Sequence, residues 1–323
     1  MKKILILGGA GYLGTVLTMQ LLKNNIVIVY DEFNFNWLIK NKKEIKYNKK
    51  FFFIKKNIFD VKISDFNDVD IVCDANGISN DPSGELNSKF TWKINFHART
   101  KFAKIAKKSG VNHYIFSSTC AVYGHNKNIV TEDSITKPIS TYAKASLKSE
   151  KFIYSLRSKT FIVNILRNAT YYGFSPSMRL DLVINVFVYD YLKTKKIIIN
   201  GDGNQWRPFI SLQDISNVYK ILVSKKPKSF ICNLVAFNLK IKDLAEEVCK
   251  ILKAPQDAII YKKNNVDLRN YNVSNNKFKK IFKSFRFSNL NKEIKALKRQ
   301  YVKYNIKKSS KTIRMLFYKK KLS

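Results

Sequence analysis

Short apolar runs alternate with amphipathic stretches through the first half of the chain. KILIL (3–7), IVIVY (26–30), FFFI (51–54), DIVCDA (70–75), HYIFSS (113–118) and TFIVNIL (160–166) are nearly continuous in apolar residues. Runs of that length predict strands buried on both faces, as in a parallel sheet. The stretches 12–24, 88–109 and 141–157 carry helical spacing instead. Ile94, Ala98, Phe102, Ile105 and Ala106 fall on one helix face, and Gly110 ends that helix. Strand and helix in alternation predict an α/β fold with a doubly wound parallel sheet. After Arg167 the pattern loosens. Segments 168–180 and 200–209 read as loops, 181–193 and 240–252 as helices. The expected division is a sheet domain over 1–167 and a smaller domain over 168–323, with parts of 205–235 returning to the first sheet. The tail from Asn291 holds twelve Lys or Arg and one acid, Glu293, and reads as a helix with a solvated end.

Composition adds constraints. Hydrophobic residues make up 45% of the chain, ample for a core. No apolar run reaches the roughly 18–20 residues that span a bilayer. MKKILILGGAG starts like a secretory leader, but the apolar run stops at Leu7 and glycines follow, so it reads as a strand. Cys73, Cys120, Cys232 and Cys249 form no CxxC pair or metal spacing and suit a reducing cytoplasm. The formal charge of +37 invites an anionic partner such as nucleic acid or a membrane surface. Yet only nine of the 60 basic residues are arginine, and outside the tail the lysines are scattered. Nucleic-acid readers lean on arginine, and no RNP or KH signature is present. The charge therefore reads as composition bias, with no nucleic-acid partner and no integral membrane segment.

Candidate chemistry begins at GGAGYLG, where Gly8, Gly11 and Gly14 form GxxGxxG directly after KILIL and at a helix start. Such a turn, with Tyr12 and Leu13 inside it, brings backbone N–H groups to a pyrophosphate at the helix N-terminus. Asp31 ends the next strand. A carboxylate there accepts hydrogen bonds from both adenosine ribose hydroxyls and repels a 2′-phosphate, which favours NAD over NADP. The plainer alternative is a glycine turn beside a surface acid. The order strand, glycines, helix, strand, acid argues against it.

The GxxGxxG spacing resembles the short-chain dehydrogenase/reductase superfamily. Further motifs, in order, resemble its extended NAD-dependent epimerase/dehydratase group, which acts on nucleotide sugars; the match runs from residue 2 to about 280. The resemblance implies a Rossmann-type sheet with a smaller C-terminal substrate domain. It places Asp60 and Val61 of NIFDV beside the adenine, Asn76 and Gly77 of NGISNDP beside the cofactor, and Ser79 toward the substrate. In FSSTCAVYG (116–124) it makes Thr119 the group that holds the reacting sugar hydroxyl, and in STYAKASLKSE it makes Tyr142 the base. LRNATYYG (166–173) and GDGNQWRPFISLQDI (201–215) resemble substrate-domain signatures. By the same resemblance Arg207 and Arg269 clamp a diphosphate, a task suited to a planar fork, and Arg179 plays a similar part. The bland alternative for each arginine is a surface ion pair. Asn185 offers an amide to substrate, and Thr170 stands where the family carries Asn, with Asn168 two places earlier. A homodimer through a four-helix bundle of 88–109 and 141–157 is also implied, with Phe102, Phe152 and Ile153 either at that surface or in the core.

Two departures bear on the reaction. Sugar-nucleotide 4,6-dehydratases carry an acidic pair after the threonine; here Cys120 and Ala121 stand there, which disfavours 4,6-dehydration. The family pattern is Tyr-x-x-x-Lys, with the lysine one helical turn on, and Ser146 holds that catalytic position. Lys144 is rotated by about 200° from Tyr142 and Lys148 by about 240°, so neither faces the site. Without a nearby amine, a tyrosine of pKa about 10 is ionised in roughly one molecule per thousand at neutral pH. A rate loss on the order of 10²–10⁴ follows. Two readings stand. One is an NAD-dependent nucleotide-sugar epimerase or related oxidoreductase that oxidises and re-reduces a sugar carbon. The other is a catalytically impaired paralogue that binds NAD and a nucleotide sugar.

Overall fold

The computed structural model describes residues 1–35, 45, 48–225, 227–263, 267 and 269–322. Seven strands form one sheet in the order Phe51–Lys55, Ile26–Asp31, Lys3–Leu7, Ile71–Asp74, His113–Thr119, Ile162–Asn168 and Phe230–Leu234. Every neighbouring pair is parallel. The pleat explains why KILIL has no polar position: Ile4 and Ile6 enter one core, Leu5 and Leu7 the other. The first core takes Leu13 and Leu17 from helix Tyr12–Leu21 and Ile215 and Val218 from helix Leu212–Ser224. The second takes Phe102 and Ala106 from helix Arg99–Lys108 and Ile153 from helix Thr141–Ser155. Phe102 and Ile153 are thus core residues rather than a dimer surface, and Phe152 is half-buried, its ring 5.0 Å from Lys104 Nζ. Strand order reverses between Lys3–Leu7 and Ile71–Asp74, which opens a crevice at their carboxyl ends.

Several elements depart from the sequence pattern. FFFI is a strand, but Phe52 and Phe53 are 51% and 58% exposed, because an edge strand has a neighbour on one side only. The 88–109 helix has three parts: Ser88–Trp92, a π turn over Lys93–Ala98, and Arg99–Lys108. Both segments read as loops contain strands. Thr170–Tyr172 pairs in parallel with Trp206–Ser211, and Phe237–Lys240 adds on antiparallel. Pro208 lies within strand Trp206–Ser211 and costs the ladder only its own N–H. Ile197–Asn200 pairs with Ile259–Lys262, and His125–Val130 with Asn270–Val273. Helices Val183–Thr194 and Ile241–Leu252 form where their periodicity predicts them.

The tail differs most from expectation. After helix Leu290–Lys303 the chain returns as helix Arg314–Leu322, which packs onto the molecule. Arg314 is buried and Phe317 meets Phe35 at 4.7 Å, while Lys319 and Lys320 stay exposed. A count of lysines missed this because TIRMLFY is an apolar island within them. Among the described residues no helix is long and apolar enough to cross a membrane, and no cluster of His, Cys, Asp or Glu could hold a metal.

Candidate active site

A cavity of about 640 Å³ lies at the carboxyl ends of the central strands. Its first wall is the glycine turn. Gly8 has φ +73°, and a Cβ there would lie 2.9 Å from Asn76 Cα. A Cβ at Gly14 would lie 2.1 Å from the Gly8 carbonyl oxygen. Gly11 caps helix Tyr12–Leu21 without a side chain, so its first N–H groups meet no side-chain cap. Tyr12 and Leu13 line the cavity. Asp31 does too, and its carboxylate accepts from Ala10 N at 3.0 Å and Phe33 N at 2.7 Å. Burial pushes its pKa up, against the pull of those two amides. Asp60 is exposed and Val61 lies in the core; the cavity wall here is Asn57–Phe59 instead. Asn76 and Gly77 line the cavity, and the buried Asn76 Nδ2 has no protein acceptor among the described residues.

The middle of the cavity holds Thr119 and Tyr142. Thr119 ends strand His113–Thr119, and Tyr142 opens helix Thr141–Ser155, which Ser140 caps by accepting from Ala143 N at 3.2 Å. Burial raises the Tyr142 pKa; a hydrogen bond with Thr119 and the charges of Arg99 and Arg179 oppose the rise, and Asp81 adds to it. Ser146 is buried, and Lys144 and Lys148 are exposed, with Lys148 Nζ 5.5 Å from the Phe96 ring. No lysine of this helix reaches the phenol from the lysine position.

Arg99 was not singled out from the sequence. It starts the helical segment after the π turn and is buried against strand ends. Its Nε donates to both Asp74 oxygens at 3.1 and 3.0 Å, its Nη2 to the Ser117 carbonyl at 3.0 Å, and its guanidinium stacks 3.9 Å from the Phe116 ring centroid. It lines the cavity, with Nη1 3.7 Å from where a Gly77 Cβ would be. The available signal was scarcity: it is one of nine arginines, on the buried side of a helix. Cys120 is buried with its thiol pKa pushed up by burial, and Ala121 lines the cavity, so neither transfers protons there.

The far wall is built from side chains. Asn168 donates Nδ2 to Ser117 Oγ at 2.8 Å, and its buried Oδ1 has no protein donor among the described residues. Thr170 also lines the cavity. Arg179 forks onto Asp181 at 2.9 and 3.1 Å and reaches Ser79 Oγ at 2.9 Å. Arg207 and Arg269, 62 positions apart, converge on Asp267 at 2.6 and 2.5 Å. Burial alone would raise the Asp267 pKa, but the two guanidiniums hold it down at about 2. Arg269 also pairs with Asp81. Asn185 does not reach the cavity. Its Oδ1 accepts from Gly173 N at 3.0 Å, and its Nδ2 donates to Tyr12 Oη at 2.7 Å and the Arg179 carbonyl at 2.9 Å, so it braces the segment from Gly173 to Arg179 against the glycine turn.

The sequence matches the NAD dependent epimerase/dehydratase family over residues 4–234. It is similar to an uncharacterised UDP-glucose epimerase of Bacillus subtilis (strain 168), 30% identical over 221 residues, covering 66% of this chain and 69% of that protein. The fold is similar to that of UDP-N-acetylglucosamine 4-epimerase from Methanobrevibacter ruminantium, with TM-score 0.84, 21% identity and coverage of 94% and 99% of the two chains. It is also similar to UDP-glucuronic acid 4-epimerase from Bacillus cereus, solved with UDP-glucuronic acid and NAD, with TM-score 0.82, 24% identity and coverage of 94% and 100%.

Proposed function

The chain belongs to the NAD dependent epimerase/dehydratase family, and from that premise we propose that it oxidises and re-reduces one carbon of a nucleotide sugar, with epimerisation as the outcome. The observation that carries this reading is that one cavity joins the glycine turn, Thr119 with Tyr142, and Arg207 with Arg269. The residues fit a dinucleotide. The turn has no room for Cβ atoms at Gly8 or Gly14, the helix start has no side-chain cap, and Asn76 Nδ2 offers an unused donor. Held by this turn, NAD would supply the hydride acceptor for the sugar carbon and, once reduced, the hydride donor. Tyr142 takes the hydroxyl proton as that carbon is oxidised and gives it back on reduction, and Thr119 keeps the same oxygen in place. Arg207 and Arg269 hold the diphosphate, which replaces part of their pairing with Asp267 and Asp81.

Arg99 and Arg179 act on the tyrosine in place of the absent lysine, since both charges favour tyrosinate. Asp74 pairs with Arg99 and Asp181 with Arg179, and burial, with Asp81, outweighs the two guanidiniums, so the phenol stays above its ordinary value. Oxidation is therefore expected to be slow at neutral pH and faster in alkali. A second reading rests on Ser146, which leaves the helix without its amine: a protein that binds both ligands and does not turn over. Incubation with NAD and a panel of UDP- and dTDP-sugars, with NMR of the sugar products, separates the two. An epimer formed by wild type and absent with Tyr142→Phe is the expected result. Binding of both ligands without hydride transfer at any pH would establish the second reading.

A further inference from the structure

The end of the chain shares the cavity with the glycine turn. Ile313, Arg314, Met315, Tyr318 and Lys321 line it together with Gly11, Tyr12 and Asp31. The segment is fixed at both ends. At one, Leu180 N donates to the Thr312 carbonyl at 2.8 Å and Arg314 N to Asp181 Oδ2 at 3.2 Å. At the other, Lys321 pairs with Glu32 at 3.0 Å, one residue past Asp31. It therefore crosses from the Arg179 loop to the end of strand Ile26–Asp31.

Charge gives this crossing a direction. Arg314 is 4% exposed, its guanidinium lies 3.5 Å from the Phe35 ring centroid, and it donates to the Lys311 carbonyl and, at 3.3 Å, to the Ser177 carbonyl and hydroxyl. Among the described residues no carboxylate pairs with that guanidinium; the nearby Asp181 side chain is forked by Arg179. Burial and Arg179 press its pKa down to about 9. Asp181 and Asp31 oppose that fall without pairing with the guanidinium; a buried cation with no directly paired carboxylate is costly to hold, and a bound anion relieves that cost. Its field reaches both Tyr12 in the glycine turn and Asp31. Arg314 lines the same cavity as Gly11, Tyr12 and Leu13 at the uncapped start of helix Tyr12–Leu21.

We infer that residues 313–321 form a third wall of the cofactor site, with Arg314 as the cation that faces the dinucleotide pyrophosphate and Tyr318 closing over the adenosine side. The inference rests on reading this cavity as a dinucleotide site. It explains why a basic tail folds back at this place, and it makes the chain's own end a determinant of cofactor retention.

Titration calorimetry of the full chain with NAD, ADP and adenosine tests it on wild type, Arg314→Gln, Arg314→Lys and Lys321→Ser. Arg314→Gln is expected to raise the Kd for NAD and ADP about tenfold or more and that for adenosine less than about twofold, the scale of a charged hydrogen bond lost to the pyrophosphate alone. Arg314→Lys should recover part of the loss, and Lys321→Ser, which only loosens the clasp, should speed NAD release. Melting temperatures without ligand separate a folding defect from a binding defect. Unchanged NAD affinity in a folded Arg314→Gln protein would overturn the assignment. Tighter NAD binding would overturn it as well, and would show that the segment competes with the cofactor. Wild type that binds neither NAD nor ADP would sink the dinucleotide reading itself, and this inference with it.

Discussion

At the cofactor end of the cavity the wall is backbone: a turn of glycines packed against Asn76 and an uncapped helix start. At the substrate end the wall is side chains: Arg179, Arg207 and Arg269, tied to Asp181, Asp267 and Asp81. The two walls meet an anion differently. Backbone amides are already oriented, and the carboxylate that meets the turn, Asp31, engages Ala10 N at 3.0 Å. The arginines are paired before any ligand arrives, so a diphosphate must share or displace those carboxylates, and its net affinity is smaller than its contacts suggest. The backbone wall tolerates almost any side chain that leaves its glycines alone, whereas the charged wall changes with every residue in it.

Substitutions that act on one wall and spare the other break or sharpen this contrast. The largest effect is expected for Gly14→Ala, whose methyl would lie 2.1 Å from the Gly8 carbonyl oxygen and 2.6 Å from Gly9 Cα, both backbone atoms that cannot swing aside. NAD binding should weaken by about 3 kcal/mol, the upper end of what overpacking a close-packed site usually costs. Gly110→Ala, whose methyl meets nothing within 4 Å, should cost some stability through its φ of +83° and leave NAD binding unchanged in the same calorimeter. Next comes Arg207→Ala. Loss of a buried partner of a charged ligand should weaken nucleotide-sugar binding by about 2–5 kcal/mol and leave NAD nearly unaffected. Equal loss of both affinities would show that the two walls are not separable. The smallest is Asp31→Ala, expected to weaken NAD by about 1–3 kcal/mol and to narrow the preference over NADP, measured by titrating both.

The same contrast explains what could be read from the sequence. The glycine turn, Asp31 and the parallel strands are local: spacing and apolar runs dictate them, and the sheet follows from rules of connection. The far wall joins residues distant along the chain, and only the resemblance to a family pointed to Arg207 and Arg269. Nothing local told that Asp267 and Asp81 would bind them, or that Asn185 would spend its amide on Tyr12 and Arg179. Arg99 was hidden for a related reason. Its reach to Asp74 and Ser117 depends on which side of the helix faces the sheet after the π turn, and periodicity does not announce such a turn. The tail departs from its reading because its many lysines outweigh the apolar island TIRMLFY in any count of charge.

The central claim is that Tyr142 is the base of an otherwise complete site whose helix lacks an amine. Its most direct test is the pH profile of hydride transfer to NAD in wild type, Ser146→Lys, and Ser146→Lys with Tyr142→Phe. Wild type should speed up as the pH rises, because burial holds the phenol above its ordinary value and tyrosinate forms only in alkali. An amine at residue 146 should move that limb to lower pH by about two units, with the largest gain near neutrality, and Tyr142→Phe should remove the gain. A limb that stays where it is, or a Ser146→Lys enzyme slower than wild type at every pH, would mean that Arg99 and Arg179, or a further group, already ionise Tyr142 without the amine and that the claim is wrong.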